Sequence, residues 1–184
     1  MSFRLANSED IDPVCELITA EAARGRFDAR LADPSFRAGL KKNLKTIRKR
    51  GRRLDQDLAA QLLIWADASG QAAGCLINSE IMPGLGNEIW MMAIFGSQRG
   101  QGEGSRMLGA ALASLHPRVD LYMRCSRDAG QSCQMGLKRG FLPLDVTGEG
   151  TRILKMPKLG ATLAGQQGSH QQLEKFVAID AARP

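Results

Sequence analysis

The chain has 184 residues, 43% of them apolar, and this length and composition predict a single globular unit with a substantial core. No stretch reaches the roughly 18 uninterrupted apolar residues of a membrane span. The N-terminal MSFRLANSED lacks the apolar region of a signal peptide, so we expect a cytoplasmic protein with no membrane partner. Four cysteines without a C-x-x-C pair, accompanied by two histidines, predict neither a metal site nor a disulfide framework.

The formal net charge of +6 is concentrated in one element. Residues 36–53 hold nine of the 25 basic side chains and no acidic one, which leaves 16 basic and 19 acidic residues elsewhere. Asp33 as a cap, Pro34 in the first turn and Gly51 at the end predict a helix here. One face of this helix is predicted to be apolar, formed by Phe36, Leu40, Leu44 and Ile47. The basic side chains then occupy its other faces.

The elements around this basic helix predict a mixed α/β chain. The N-terminal SFRLA is typical of a strand, and an apolar stripe that starts at Ile11 predicts a first helix. QLLIWADA and QAAGCLINSEI, joined by the turn SGQ, predict an antiparallel hairpin. NEIWMMAIF is apolar on both faces and is typical of a central strand.

The second half of the chain predicts two helices and three strands, followed by an extension. An apolar stripe through Leu108 and Leu115 predicts a helix that ends at Pro117. VDLYMRCS, FLPLDV and EGTRILKM are typical of strands, and RDAGQSCQMGLKR of a short helix. We expect one domain over residues 1–157, and a linker with a C-terminal helix over residues 158–184. The apolar side of that last helix favours a homodimer.

The segment FGSQRGQGEGSRMLGAAL places three glycines, at positions 100, 102 and 104, directly before a predicted helix. Glycine allows a ligand to approach the main chain closely and allows backbone angles that other residues avoid. The first amides of a helix have no intrahelical partner, and the helix dipole adds roughly half a positive charge there. The pattern predicts either a loop that binds an anion such as phosphate or a glycine-rich turn with no ligand.

Two families of phosphate-binding loop fit this segment poorly. The Gly-Lys-Ser/Thr of a P-loop does not occur, and a dinucleotide-binding fold has G-x-G-x-x-G after the first strand of a βαβ unit. Here the loop is G-x-G-x-G and follows an antiparallel hairpin. RGQGEG resembles the R/Q-x-x-G-x-G/A signature of the GCN5-related N-acetyltransferases. With EIWMMAI before it and LKRGF after it, the resemblance covers roughly residues 2–157.

The resemblance implies a mixed sheet whose fourth and fifth strands splay apart, with acetyl-CoA bound in the cleft as co-substrate. Main-chain groups of Met92, Ala93 and Ile94 would face the pantetheine and the acetyl carbonyl, while their side chains stay in the core. Backbone amides of the glycine loop would cradle the pyrophosphate. The implied coenzyme-loop residues are Arg99, Gly100, Gln101, Gly102, Glu103, Gly104 and Ser105.

The same resemblance suggests two candidate catalytic residues. Glu88, at the start of EIWMMAI, resembles the glutamate that the histone-acetyltransferase branch uses to deprotonate lysine, usually through water; the alternative is an exposed strand-end glutamate. Many relatives carry a tyrosine five residues before the Phe of the G-F pair, and Gly136 stands there in this chain. Tyr122, the one tyrosine of the sequence, then either faces the cleft as a proton donor or substrate contact, or is a packing residue. The coenzyme A thiolate can also take its proton from water.

We expect an N-acetyltransferase that moves the acetyl group from acetyl-CoA to a primary amine of a small molecule or protein, by direct attack in a ternary complex. The alternative is a catalytically weak protein of the same fold that binds CoA and engages nucleic acid or a protein partner through its basic helix. Residues 37–53 are interpreted either as the binding surface for an acidic or nucleic-acid acceptor or as a solvated helix face with no ligand. The basic row in question is Lys41, Lys45, Arg48 and Arg52.

Overall fold

The computed structural model describes residues 1–82, 84–115 and 119–158. The strands are β1 (Ser2–Leu5), β2 (Ala60–Ala66), β3 (Ala72–Met82), β4 (Gly86–Ile94), β5 (Leu121–Cys125), β6 (Leu142–Val146) and β7 (Arg152–Met156). The helices are α1 (Ile11–Ala22), α2 (Pro34–Arg50), α3 (Glu103–Leu115) and α4 (Gly130–Leu137), with short 3-10 helices at Ala29–Ala32 and Gly96–Gln98. Pro117 and the C-terminal helix expected within residues 158–184, which favoured a homodimer, lie outside the described residues.

The seven strands form one mixed sheet in the order β1-β2-β3-β4-β5-β7-β6. Neighbouring strands are antiparallel except β4 and β5, which are parallel. Parallel neighbours need a crossover rather than a tight turn, and the chain supplies one through α3. The predicted mixed α/β fold class is confirmed.

Helices cover both faces of this sheet. The apolar residues of α1 and α2 form a cluster with one face, and those of α3 form a cluster with the other. Side chains of a strand point alternately to the two faces. In β3, Cys75 and Ile77 accordingly belong to the first cluster and Leu76 to the second. Ala73 belongs to the second cluster as well, because the register with β2 shifts at this residue.

The basic helix α2 has the ends that its sequence predicts. The carboxylate of Asp33 accepts a hydrogen bond from the Ser35 N–H at 2.8 Å, and Pro34 occupies the first turn. Gly51 ends the helix with φ of 64°, and its N–H donates to the Ile47 carbonyl at 2.8 Å. Of the predicted apolar stripe, Leu40, Leu44 and Ile47 are buried. Phe36, in the first turn, is 44% exposed and lies outside that buried contact.

Strands β4 and β5 separate partway along β4. Their pairing covers Asn87, Glu88 and Ile89, and no partner on β5 follows. At the same point, consecutive β3 residues pair with Met91 and Ile89, so Trp90 has no partner and forms a β-bulge. A bulge bends its strand and increases the local twist. Trp90 and Met91 consequently face the same apolar cluster. Beyond them the edge of β4 has no partner on β5, and we call the gap between the two strands the cleft.

Candidate active site

The exposed edge of β4 presents main-chain groups to the cleft. The Phe95 N–H donates to the Ala73 carbonyl on β3 at 2.9 Å. Because hydrogen-bonded and non-hydrogen-bonded pairs alternate in an antiparallel ladder, the main chain of Ala93 also faces β3. The main-chain groups of Met92 and Ile94 then point the other way, toward the cleft. Two of the three residues implied by the resemblance therefore offer backbone donors and acceptors there.

The glycine loop lies at the carboxyl end of β4. Gly100 and Gly102 have φ of 78° and 79°, a region that glycine adopts without strain. A Cβ at Gly100 would meet nothing within 4 Å, so this glycine is required by the backbone conformation rather than by packing. Within the described parts of the chain, the six backbone N–H groups of residues 100–105 have no well-aligned hydrogen-bond acceptor. These donors surround the N-terminus of α3, where the helix dipole favours an anion.

Hydrogen bonds and ion pairs from side chains hold this loop against the rest of the protein. Trp65 donates its indole N–H to Glu103 at 2.9 Å, and Arg106 pairs with the same carboxylate at 3.0 Å. The Glu103 side chain is buried and turned into the protein, so its contribution to the loop is its backbone amide. Arg99 donates from Nε to the Ile94 carbonyl at 3.0 Å.

Gly104 lies in the first turn of α3 and is closely flanked. A Cβ there would meet the Ile94 side chain at 3.6 Å and the Met135 side chain at 3.9 Å, which are ordinary contacts. Arg139 donates to the backbone oxygen and the hydroxyl of Ser105, both at 2.5 Å. Met135 in α4 and Arg139, two residues after the end of that helix, thus hold the start of α3. Arg139 belongs to the LKRGF segment of the resemblance, whereas Met135 lies outside the quoted motifs.

Glu88 lies at the fork between β4 and β5 and is almost completely buried. Arg124 on β5 donates to both of its carboxylate oxygens, from Nε at 2.5 Å and from Nη2 at 2.7 Å. A bidentate pair of this kind fixes both side chains. The structure therefore places Glu88 as a partner in an ion pair rather than as the exposed strand-end residue considered as its alternative.

Tyr122 pairs with Glu88 in the parallel register of the two strands. Its side chain is 1% exposed and packs with Ile81 and Ile153. Burial raises the pKa of Tyr122, because it disfavours the phenolate, and Lys155 beside the ring opposes that shift. The phenol therefore keeps its proton at neutral pH.

Gly136, at the position of the missing tyrosine, faces the protein interior. A Cβ on this residue would lie 3.1 Å from Cδ1 of Leu154 and 3.2 Å from Sδ of Met123. The Phe141 N–H donates to its carbonyl at 3.2 Å. A tyrosine at this position would clash with the sheet, whereas the preceding Met135 is directed toward the glycine loop.

Neither a family model nor a curated protein matches the sequence. Solved structures do match. An N-acetyltransferase from Staphylococcus aureus aligns with 85% of this chain and 100% of its own at a TM-score of 0.64 and 15% identity. A histone acetyltransferase HPA2 and related acetyltransferase from Corynebacterium glutamicum also matches. The alignment covers 88% of this chain and 98% of that one, at a TM-score of 0.62 and 17% identity.

A third match is the spermidine N-acetyltransferase of Vibrio cholerae in complex with CoA and spermine, over 84% of this chain and 92% of that one, at a TM-score of 0.60 and 14% identity. The chain has the GCN5-related N-acetyltransferase fold. The predicted fold is thus confirmed, including the splayed strands. Likeness at this level of identity concerns the fold, so activity and acceptor have to be argued from the residues.

The basic helix α2 is partly neutralised in this fold. Its Arg37 pairs with Glu16 of α1 at 3.1 Å, and Lys41 pairs with Asp12 of the same helix. Just beyond the helix, the buried Arg53 pairs with Asp55 and stacks over the Trp90 ring, 3.9 Å from its centre. The basic run therefore includes side chains that hold α1, α2 and the bulge together.

The cysteines offer no nucleophile for the cleft. All four are buried and none forms a disulfide. Burial raises the pKa of Cys75 and of Cys125 to about 12, so both thiols stay protonated at neutral pH. Among the described residues, no group of three or more His, Cys, Asp or Glu side chains could hold a metal ion. No described helix is long and apolar enough to span a membrane.

Proposed function

We propose that the protein is an N-acetyltransferase that transfers the acetyl group of acetyl-CoA to a primary amine. One observation carries the proposal: the six backbone N–H groups of residues 100–105 have no well-aligned acceptor in the described chain and lie at a helix N-terminus beside an open strand edge. Donors of this kind match a pyrophosphate. The neighbour from Vibrio cholerae was solved with CoA, which agrees with a CoA ester as the donor.

The coenzyme contacts are assigned to backbone rather than to side chains. In the proposal, the amides of Gly100 to Ser105 hold the pyrophosphate, and the main-chain groups of Met92 and Ile94 hold the pantetheine and the acetyl carbonyl. Arg99 positions the loop through the Ile94 carbonyl. Since backbone donors in a fixed loop need no reorganisation when the ligand binds, they are well suited to orient the thioester.

The chemical step is a direct attack. The neutral amine nitrogen forms a bond to the thioester carbon, the nitrogen loses its proton to a base, and the C–S bond breaks with release of coenzyme A. An acyl-enzyme would need a nucleophile, and the four cysteines, all of them buried, do not provide one. A ternary complex of donor and acceptor therefore fits the site best.

Glu88 is our candidate for the base. Each carboxylate oxygen has more than one lone pair, so Glu88 can accept a hydrogen bond from water while Arg124 holds it. Such a water would relay the proton from the amine to this buried side chain. For the thiolate, Tyr122 is a candidate donor, and water at the cleft mouth is the alternative. The buried position of Tyr122 favours water.

Two measurements test the proposal. Calorimetry with acetyl-CoA and with CoA should show one site per chain, and release of free coenzyme A thiol in the presence of an amine panel should show turnover. The four buried cysteines should add little background to a thiol assay on the folded protein. Folded protein that binds neither form of the coenzyme would contradict the proposal, and binding without turnover would leave the CoA-binding alternative.

Nucleic-acid binding by residues 37–53, the alternative function, can be tested separately. Retention on nucleic acid that weakens steeply with salt, and is lost when Lys41, Lys45 and Arg48 are replaced by glutamine, would support a nucleic-acid function. The ion pairs of Arg37 and Lys41 with α1 reduce the charge available for it. We therefore favour acetyl transfer to a small amine.

A further inference from the structure

A cluster of three arginines surrounds one buried carboxylate at the end of α1. Glu21 accepts hydrogen bonds from Arg24 at 2.5 Å, from Arg26 at 2.5 Å and from Arg99 at 2.6 Å. Arg24 and Arg26 follow the helix directly, whereas Arg99 comes from the glycine loop, 78 residues further along the chain. The sequence gives no hint that these groups meet, because only the fold brings the loop to the end of α1.

The cluster carries more positive charge than its carboxylates neutralise. Burial alone would raise the pKa of Glu21, but its three arginine partners outweigh this and lower the pKa, so the carboxylate is ionised at neutral pH. A second carboxylate, that of Asp128, borders Gly25. Asp28, two residues after Arg26, pairs with Arg30, so this pair adds no net charge. The three guanidinium groups of the cluster then outnumber the carboxylates of Glu21 and Asp128 by one.

Two of the three arginines keep N–H donors that Glu21 does not use. The side chains of Arg24 and Arg26 are 55% and 46% exposed, although each donates one hydrogen bond to Glu21. A guanidinium has five N–H donors in a planar fork that matches a carboxylate or phosphate. Glu21 thus aligns two guanidinium groups whose remaining donors face outward.

The position of the cluster ties it to the cleft. Arg99 joins Glu21 on one side and the Ile94 carbonyl, on the cleft edge of β4, on the other. The chain between Arg24 and Arg26 is anchored across the cleft, since the Ser126 hydroxyl after β5 donates to the Gly25 carbonyl at 2.9 Å. The arginines therefore border the carboxyl ends of both splayed strands.

We propose that the acceptor is a small amine that also carries an anionic group, carboxylate or phosphate, and that Arg24 and Arg26 bind this group. The inference rests on the proposed acetyl transfer and names the class of its acceptor. A compact pair of guanidinium groups fits one such anion, and a linear polyamine would be repelled by it. Arg24 and Arg26 act as specificity-determining residues, whereas Arg99 holds the loop.

A purely structural role explains these arginines less well. Arg99, the least exposed of the three, already provides the partner that a buried carboxylate needs. Arg24 and Arg26 also help to keep Glu21 ionised. Their side chains are nevertheless about half exposed, and each guanidinium keeps donors that this role does not use.

The test uses pairs of amines that differ in the anion alone. L-Lysine is compared with 1,5-diaminopentane, an α-amino acid with its amide, and O-phosphoethanolamine with ethanolamine, by release of coenzyme A thiol. The amide's amino group is the weaker base and a larger fraction of it is neutral, so intrinsic reactivity favours the amide. We expect kcat/KM to favour the anionic member of at least one pair by about 10- to 100-fold, as charge-assisted hydrogen bonds give. The pairs separate carboxylate from phosphate.

Variants locate the effect. Arg24→Gln and Arg26→Gln should each remove most of this preference, mainly through KM, while Lys138→Gln on the exposed end of α4 should keep it. Calorimetry with CoA and with 3′-dephospho-CoA should give the same affinities for the arginine variants as for the native chain. Turnover that prefers the uncharged or cationic member overturns the inference but leaves acetyl transfer intact. A selective loss of CoA affinity would assign the cluster to the coenzyme phosphate and also overturn it. No turnover with any amine contradicts the proposed function itself.

Discussion

Arg124 donates two hydrogen bonds to Glu88, at 2.5 and 2.7 Å, at the point where β4 and β5 separate. The pair joins the two strands next to the opening, so it stabilises the fork through side chains where the backbone ladder ends. It also holds the carboxylate that we propose as the base. The structural role of Glu88 and its proposed catalytic role are therefore coupled, and a single substitution cannot separate them.

A set of three variants does separate them. Glu88→Gln should lower kcat by roughly 10²- to 10⁴-fold, the usual contribution of a positioned base. Arg124→Met should destabilise the fold by about 3–5 kcal/mol, because it leaves a buried carboxylate without its partner. The double variant should recover part of that stability but none of the activity. Denaturant unfolding and steady-state kinetics measure the two effects.

Glu80→Gln, on the neighbouring strand β3, is the control and should retain both stability and activity. If Glu88→Gln and Arg124→Met reduce activity equally, in proportion to their loss of stability, Glu88 is part of the scaffold and another group accepts the proton.

The glycine loop gives a prediction about backbone conformation. Gly100→Ala should cost about 1–2 kcal/mol, since alanine resists a φ of 78°, although the added methyl group meets nothing within 4 Å. Reorientation of the loop should weaken CoA binding at least tenfold in calorimetry. Gly96→Ala is the matched control: its Cβ also lies in open space, its φ is not positive, and it should leave both quantities unchanged. Equal effects of the two substitutions would argue against a conformational role of Gly100.

Local patterns predicted much of this molecule. The ends of α2, the central strand β4 and the loop before α3 follow from neighbouring residues, because caps, side-chain alternation and glycine conformations are local properties. The resemblance placed those elements in the correct fold. The splay itself depends on the bulge at Trp90, which is visible only in the register with β3.

The sequence did not predict the charged pairs between distant elements of the fold. Glu88 and Arg124 form a pair although they are 36 positions apart in the chain, and Glu21 and Arg99 are 78 positions apart. No spacing rule connects residues so far apart, since their contact results from the packing of whole elements. The position of Gly136 had the same difficulty: the sequence identified the missing phenol, but only the structure shows that the position faces Leu154 and Met123.

Reintroducing a phenol tests this interpretation of α4. Gly136→Tyr should destabilise the protein by roughly 1–3 kcal/mol or more, because its ring would enter a packed interior. Met135→Tyr should be tolerated, since Met135 is partly buried against Gly104 beside the glycine loop. If proton donation to the thiolate limits turnover, Met135→Tyr should also raise kcat, whereas Met135→Phe should not. Thermal unfolding and thiol release measure these effects, and a stable, active Gly136→Tyr protein would contradict the described packing.

The Glu21 cluster predicts a dependence of stability on pH. Three arginines lower the pKa of Glu21 in the folded protein, so its contribution is complete above the unfolded pKa of about 4.3 and is lost as the pH falls through the lower folded pKa. Glu21→Gln should therefore reduce the free energy of unfolding by roughly 1–3 kcal/mol at pH 7, and the difference from the native chain should shrink steadily in acid. Glu16→Gln, which removes an exposed partner of Arg37, should change it by less than about 1 kcal/mol at either pH. Urea unfolding at pH 7 and pH 3.5 measures the difference, and a Glu21→Gln effect that grows in acid would show that the sign of the coupling is reversed.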